Sequence, residues 1–227
     1  MNVDIKSGGI SPFREFNGSQ NAFPFLEKLR GEMDESARYL PYLRENSAAL
    51  YSLLLRLKRP VRIFEAGTLY GYSALLAAFT LKSCGECDFK IITCELSEEN
   101  AKIAADNFKK AGFDGQIEVI TGDAAEVLQC LSGAFDLIFL DSAKGQYVNM
   151  LPDIKGHLAD GGLLVCDDIL YHELSGIPAS EAPHKHRTIV NNLARFVDAI
   201  KNDGGFTGVI DSMDDGLLLA QYSRRDN

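Results

Sequence analysis

The sequence predicts an α/β fold: a doubly wound, mostly parallel seven-stranded sheet that finishes in an antiparallel hairpin and carries helices on both faces. Three observations predict it. Short runs rich in Ile, Leu and Val, of the kind buried on both faces of a sheet, recur at Val61–Phe64, Lys90–Cys94, Ile117–Ile120, Leu137–Leu140 and Leu163–Cys166. Between them lie stretches of helical periodicity, and strand alternating with helix is the pattern of a parallel sheet with crossovers on both sides. After the last helix the pattern becomes two strand-like runs, Phe206–Ile210 and Leu217–Gln221, with the turn sequence Asp214-Asp215-Gly216 between them.

Taken in order, residues 1–20 hold Gly8-Gly9, Pro12 and Asn17-Gly18 without periodicity and read as a flexible arm. Residues 21–227 then form a single domain, with front helices over 21–58 and the α/β core over 59–227. From Phe23 to Leu57 the apolar spacing is helical, and Pro41 splits it into a segment with Phe25, Leu26, Leu29 and Met33 and another with Leu43, Leu50, Leu53, Leu54 and Leu57. Arg59-Pro60 leads almost directly into the first strand, which places the second helix beside the loop that follows it. A helix runs from Tyr72 to Leu81. The next opens on Ser97 as N-cap, with Glu98 and Glu99 in its first turn, Ile103, Ala104 and Phe108 along one face, and Gly112 at its end. Ala124–Leu131 and Gln146–His157 are the next two helices, the second closed by Asp160-Gly161-Gly162, and His186–Asn202 is the last.

Composition bounds the function. A chain of 227 residues with 46% hydrophobic side chains can bury a full core. Its 23 Lys+Arg against 32 Asp+Glu give a net −9, which argues against broad binding to nucleic acid or anionic membrane but leaves room for a local basic patch. No apolar run approaches the ~20 residues of a membrane span, and Met1–Ser11 has no signal-peptide core, so a soluble cytoplasmic protein is expected. The 5 cysteines are odd in number, and Cys94, Cys130 and Cys166 sit in apolar segments where reduced thiols are the simplest expectation. Cys84-Gly85-Glu86-Cys87 has no second pair and no nearby histidines to make a zinc or redox site.

In Rossmann-like sheets ligands sit outside the carboxyl ends of the strands, so the polar residues that follow each strand are the ones to collect. After the first comes Glu65-Ala66-Gly67-Thr68-Leu69-Tyr70-Gly71-Tyr72-Ser73. Glycines at 67 and 71 permit either a tight turn alone or a close ligand approach, with a helix N-terminus offering free N–H groups to an anion. The spacing is G-x-x-x-G, so the third glycine of a dinucleotide fingerprint is missing and an NAD-dependent oxidoreductase is disfavoured. Glu95 follows the second strand, where a carboxylate takes two ribose hydroxyls or, less specifically, favours a helix N-terminus. Asp123 either caps the next helix or meets an adenine edge. Asp141, Asp167 and Asp168 follow adjacent strands about 5 Å apart and can converge on one hard divalent cation, Mg²⁺, Mn²⁺ or Ca²⁺, or stand as solvated turn acids. Lys144 beside them is either an ion-pair partner or a proton acceptor for a substrate hydroxyl.

In order, Glu65-Ala66-Gly67-Thr68-x-x-Gly71-Tyr72-Ser73, Glu95, Gly122-Asp123-Ala124, Asp141-Ser142-Ala143-Lys144-Gly145-Gln146-Tyr147, Asp167-Asp168 and Asp215-Gly216-Leu217 resemble the class I, S-adenosylmethionine-dependent O-methyltransferases of the catechol and caffeoyl-CoA type. The resemblance runs from about Pro41 to the end. It implies that Glu65, Gly67, Gly71, Tyr72 and Ser73 cradle the methionine end of S-adenosylmethionine, that Glu95 takes the ribose, that Asp123 and Ala124 frame the adenine, and that Asp141 also belongs to the cofactor site. It further implies Mg²⁺ on Asp141, Asp167 and Asp168, and Lys144 as base with Asp141 in the catalytic set. The family usually carries Asn where this chain has Asp168; the extra carboxylate should tighten a hard cation and reduce its Lewis acidity.

The implied reaction transfers a methyl group to a hydroxyl that has a second oxygen beside it. Within the family, Ala143-Lys144-Gly145-Gln146-Tyr147 and the basic segment Pro183-His184-Lys185-His186-Arg187 are most similar to bacterial tRNA 5-hydroxyuridine methyltransferases, so tRNA is expected slightly ahead of a small catechol-like phenol. A non-catalytic cofactor-binding protein would be expected to lack the acidic trio or Lys144. The apolar front helices suggest a homodimer, and no membrane partner is expected.

Overall fold

The computed structural model describes residues 23–37, 40–171, 174 and 180–224. The arm expected over residues 1–20, and most of the segment 171–183, lie outside the described residues.

Two helices come first, α1 (Pro24–Asp34) and α2 (Glu45–Lys58), with Pro41 between them. The core then alternates β1 (Arg62–Ala66), α3 (Tyr72–Ser83), β2 (Lys90–Glu95), α4 (Glu98–Ala111), β3 (Ile117–Thr121), α5 (Ala124–Cys130), β4 (Phe135–Leu140), α6 (Tyr147–His157), β5 (Leu158–Cys166), α7 (Arg187–Asn202), β6 (Phe206–Asp211) and β7 (Leu217–Tyr222). The strands form one seven-stranded sheet in the order β3-β2-β1-β4-β5-β7-β6. β1 to β5 are parallel, whereas β7 pairs antiparallel with both β5 and β6. The expected fold class is therefore the observed one. The order reverses beside β1, and that switch point is where a parallel sheet opens a crevice.

Alternation along the strands divides the core. Ile63, Ile91, Leu137, Phe139 and Val165 face α1 to α4, while Phe64, Ile92, Ile138, Leu140, Leu164 and Cys166 face α5 to α7. By the same period of two, Glu65 shares the face of Ile63 and lies under the front layer.

Several boundaries differ from the sequence reading. β1 starts at Arg62, not Val61, and runs on to Ala66, so Glu65 lies inside the strand and not after it. β5 starts at Leu158, directly after α6, and takes in Asp160-Gly161-Gly162, which had been expected only to close the helix. Its register against β4 slips from Phe135↔Leu158 to Leu137↔Leu163, and Gly161 at φ 70° turns the extra residues out as a bulge. Lys144–Gln146 and His184–His186 are single 3₁₀ turns ahead of α6 and α7, so those helices start at Tyr147 and Arg187.

Candidate active site

At the carboxyl edge the chain keeps the ladder going for one residue past each strand before it turns away. The N–H of Gly67 donates to the Cys94 carbonyl (3.0 Å), Gly122 to Glu95 (2.9 Å), Asp141 to Ala66 (2.8 Å) and Asp167 to Leu140 (3.0 Å). These bonds hold five loop starts at one level around a cavity of about 370 Å³. Of the residues singled out in the sequence, Gly67, Tyr72, Ser73, Glu95, Asp123, Ala124, Asp141, Lys144 and Asp168 line it; Glu65, Gly71 and Asp167 stand behind that lining.

Gly67 and Gly71 have separate jobs. At Gly67 (φ 98°) a Cβ would sit 2.0 Å from the Asp141 carbonyl oxygen, so the absence of a side chain lets the loops after β1 and β4 touch. At Gly71 (φ 86°) a Cβ would meet the Phe108 ring at 2.3 Å, so this glycine seats α3 against α4. Gly71 is also the N-cap of α3, and no side chain caps that helix start. The Tyr72 ring packs on Tyr42 at 5.4 Å between centroids, which brings the front segment over the opening. Met33 of α1 and Pro41, Tyr42 and Leu43 of the segment between α1 and α2 supply that wall, where sequence reading finds only apolar spacing and a helix-splitting proline.

Glu65 is 1% exposed. Thr68 and Thr93 share a 2.6 Å hydrogen bond, and Thr93 Oγ1 donates to Glu65 Oε1 at 2.8 Å. Glu65 Oε2 has no partner. Burial pushes the carboxyl up to about 8, against the pull of the Thr93 hydroxyl. Thr93 was not singled out in the sequence; a threonine in the middle of a buried apolar strand was the signal.

Glu95 is held from behind. Its Oε2 accepts from Leu69 N–H (2.8 Å) and its Oε1 from Ser97 N–H (2.9 Å) and, at 3.5 Å, from Asn100 Nδ2, which leaves Oε2 with the lone pair open to a ligand. Asp123 caps α5 through Oδ1, accepting from Ala125 N–H at 2.9 Å, while Oδ2 accepts from Gln146 Nε2 at 3.1 Å. Both of its oxygens are engaged, and Gln146 lines the cavity beside it.

Asp141, Asp167 and Asp168 each offer an oxygen within 4.8 Å of the others. Asp168 is in the left-handed region at φ 52°, held there because Ile169 and Leu170 N–H donate to the carbonyls of Gly216 (3.0 Å) and Asp215 (2.8 Å) at the β6–β7 turn. Lys144 Nζ lies 3.2 Å from Asp141 Oδ1 and 3.3 Å from Asp168 Oδ2. Burial pulls the lysine pKa down, but Asp141 and Asp168 outweigh it and hold the ammonium well above its usual range. Asp167, 4% exposed, is pushed up to about 8 by burial and then by the charges of Asp141 and Asp168. An all-oxygen trio with one carboxyl reluctant to ionise is a donor set that a hard divalent cation fits. The loop carrying Asp141 and Lys144 is pinned by Tyr147, a fully buried residue whose hydroxyl accepts from Ser142 N–H at 3.0 Å.

In the basic segment, His186 Nδ1 is 3.0 Å from Tyr171 Oη, and Arg187 donates to the Ala182 and Ser180 carbonyls at 3.0 Å each. His186 and Arg187 thus serve the adjoining loop, while His184 and Lys185 are exposed. Cys84, Cys87, Cys94, Cys130 and Cys166 are all free thiols.

A family model described as O-methyltransferase matches residues 17–223. The chain is similar to a catechol O-methyltransferase of Niastella koreensis, 32% identical over 129 residues that cover 55% of this chain and 57% of that one. A caffeoyl-CoA O-methyltransferase of Stellaria longipes is 29% identical over 140 residues, 59% of this chain and 56% of its own. The matched segment thus spans less than two thirds of either relative. Among solved structures, an O-methyltransferase from Bacillus cereus in complex with SAH superposes with a TM-score of 0.76 at 23% identity, covering 88% of this chain and 90% of that one, which supports the fold.

Proposed function

The chain belongs to the O-methyltransferase family, and on that premise we propose that it transfers a methyl group from S-adenosylmethionine to a hydroxyl with a second oxygen beside it, on a small catechol-like phenol. The observation that carries this reading is the junction of two half-sites in one cavity: Gly67, Ser73 and Glu95 on one side, Asp141, Lys144 and Asp168 on the other. Family membership and the catechol and caffeoyl-CoA O-methyltransferases among the relatives support it.

In this reading Gly67, Tyr72 and Ser73 hold the amino-acid end of the cofactor at the N-terminus of α3, with the Ser73 hydroxyl at its carboxylate, while Gly71 seats that helix. Glu65, neutral at physiological pH, braces the strand beneath. Glu95 takes the ribose diol, and Asp123 with Ala124 closes the nucleoside end. Asp141, Asp167 and Asp168 would hold Mg²⁺ or a similar ion, which when bound would supply charge that acidifies a chelated hydroxyl. Lys144 Nζ, beside Asp141 and Asp168, is the group placed to exchange a proton with that hydroxyl. The sulfonium methyl is already activated, so the remaining task of these residues is alignment and exclusion of water by the front wall of Met33, Tyr42 and Leu43.

A second reading, wobble 5-hydroxyuridine of tRNA, is favoured by the Ala143–Tyr147 motif and by the exposed His184 and Lys185. The basic segment supports it less than its composition suggests, because Arg187 and His186 are occupied within the chain. A homodimer through the front helices is proposed on the exposure of Leu53 and Leu57 (49% and 74%) on α2; a monomer mass in gel filtration at micromolar concentration would remove it.

The test is transfer of a labelled methyl group from S-adenosylmethionine to catechol and, separately, to tRNA from cells lacking this protein, each with Mg²⁺ and with a chelator. Labelled catechol, lost with chelator and in Asp141→Ala and Lys144→Ala, is the expected result. Labelled tRNA alone would move the acceptor to RNA; no transfer to either would sink the reading.

A further inference from the structure

We infer that Gln146 recognises the purine of the cofactor, accepting a hydrogen bond from its exocyclic amine through the side-chain carbonyl oxygen. The inference deepens the proposed function and rests on its reading of the cavity as a nucleoside site.

Gln146 closes the 3₁₀ turn Lys144–Gln146 and lines the cavity next to Asp123 and Ala124. Its amide orientation is dictated by its neighbour. Asp123 Oδ2, 3.1 Å away, belongs to a carboxylate that can only accept, so the end of the amide facing it is the NH₂ group. Asp123 itself cannot swing aside without giving up the cap of α5, because its other oxygen holds Ala125 N–H at 2.9 Å. The carbonyl oxygen of Gln146 is thereby left as an acceptor without a partner among the described residues. The surface around it is apolar. Leu96, 75% exposed on the loop after β2, lines the same cavity together with Ala124 and Ala143. A leucine left that open beside two small residues offers a flat apolar bed for a ring, and a single fixed acceptor at its rim selects a ring that carries an amine.

This arrangement discriminates 6-amino from 6-oxo purines. Against adenine the oxygen meets a donor; against hypoxanthine it meets another acceptor, and the constraint from Asp123 prevents the amide from turning over to relieve it.

The experiment is calorimetric titration of the protein with S-adenosylhomocysteine and with S-inosylhomocysteine. Wild type should bind the adenosyl compound at least 10-fold more tightly. Gln146→Leu should bring the two within about 3-fold of each other, mainly by weakening the adenosyl compound. Asp123→Asn is an independent check that leaves Gln146 in place: an asparagine can donate as well as accept, so the glutamine amide can turn over and the preference should narrow. Equal binding of both compounds by wild type, or a full preference retained in Gln146→Leu, would overturn the inference while leaving the nucleoside reading intact. Equal loss of both compounds in Gln146→Leu would also overturn it, since that is what a merely structural glutamine predicts. Failure of wild type to bind either compound would remove the nucleoside reading itself, and the inference with it.

Discussion

Replacing Glu65 by glutamine should stabilise the protein at alkaline pH and change little at acid pH. The side chain is 1% exposed in the middle of β1, with one oxygen held by Thr93 and the other without a partner. Burial raises its carboxyl from an ordinary 4.5 to about 8. The sign follows from proton counting: between those two values the folded protein keeps a proton that the unfolded chain has released, so folding stability falls as pH rises. The contribution of the neutral carboxyl is whole below about 4.5 and has been lost once pH passes about 8. At about 1.4 kcal/mol per pH unit, the loss across that window has a ceiling of about 5 kcal/mol. Glutamine keeps the acceptor for Thr93 and never ionises. Denaturant unfolding of the cofactor-free protein and of Glu65→Gln at pH 5, 7 and 9 should therefore show near-equal stability at pH 5 and a gap of up to a few kcal/mol in favour of the variant at pH 9. Asp167, also raised to about 8, titrates in both proteins and drops out of the difference. A gap that is flat with pH, or that widens in favour of wild type, would refute the assignment of a neutral buried Glu65.

Two other perturbations test the loops. Tyr147→Phe removes the acceptor for Ser142 N–H, at a cost of about 1–2 kcal/mol or roughly 2–8 °C in Tm; kcat should fall while S-adenosylhomocysteine affinity holds, and an unchanged kcat would show that the loop is positioned by something else. Gly67→Ala places a Cβ 2.0 Å from the Asp141 carbonyl at a backbone φ of 98°, so a loss of more than about 2 kcal/mol is expected. Gly31→Ala, in α1 with open space around its Cβ position, should instead gain about 0.5–1 kcal/mol; paired thermal melts that fail to separate the two variants would contradict the loop contact.

What could be read from the sequence was whatever repeats a local rule. Five parallel strands, the Ser97 cap with its 3.3 Å bond from Asn100 N–H, the left-handed Gly112 and the C-terminal hairpin each depend on a few neighbouring residues, and the structure has them, although β3, expected to be buried on both faces, is a half-exposed edge strand. The failures were tertiary. β5 continues backwards through two glycines because Gly162 pairs with Tyr222 of β7 and, past the bulge, Leu158 pairs with Phe135 of β4, which no local pattern in Asp160-Gly161-Gly162 reveals. Glu65 reads as a residue that follows a strand; its burial depends on the front layer above, and its neutral state follows from that burial against the pull of Thr93 from β2. The convergence of Asp141, Lys144 and Asp168 was expected from strand order, but the charge on Lys144 is set by distances that only the fold supplies.

The β6–β7 turn links the front wall to the acidic loop, and that link can be broken at one residue. Asp214, in the left-handed region at φ 52°, accepts from Asn46 Nδ2 (3.0 Å), Ser47 N–H (3.0 Å) and Ser47 Oγ (3.2 Å), so it caps α2 from 167 residues away in sequence. Asp215 beside it takes Arg44 at 2.8 Å, and the same turn's carbonyls hold Ile169 and Leu170, next to Asp168. Ser47 is 2% exposed, so its N–H has no water to fall back on when the carboxylate is removed. Asp214→Ala should then cost about 1–2 kcal/mol, as the loss of an N-cap does. The front segment over the cavity would loosen with α2, and KM for the acceptor should rise more than kcat falls. Asp214→Asn keeps a carbonyl acceptor and tolerates the left-handed backbone, so it should recover most of both losses. If asparagine proves as damaging as alanine, the contribution of Asp214 is its charge and not its cap, and the coupling between the two walls of the site must run through the Arg44–Asp215 pair instead.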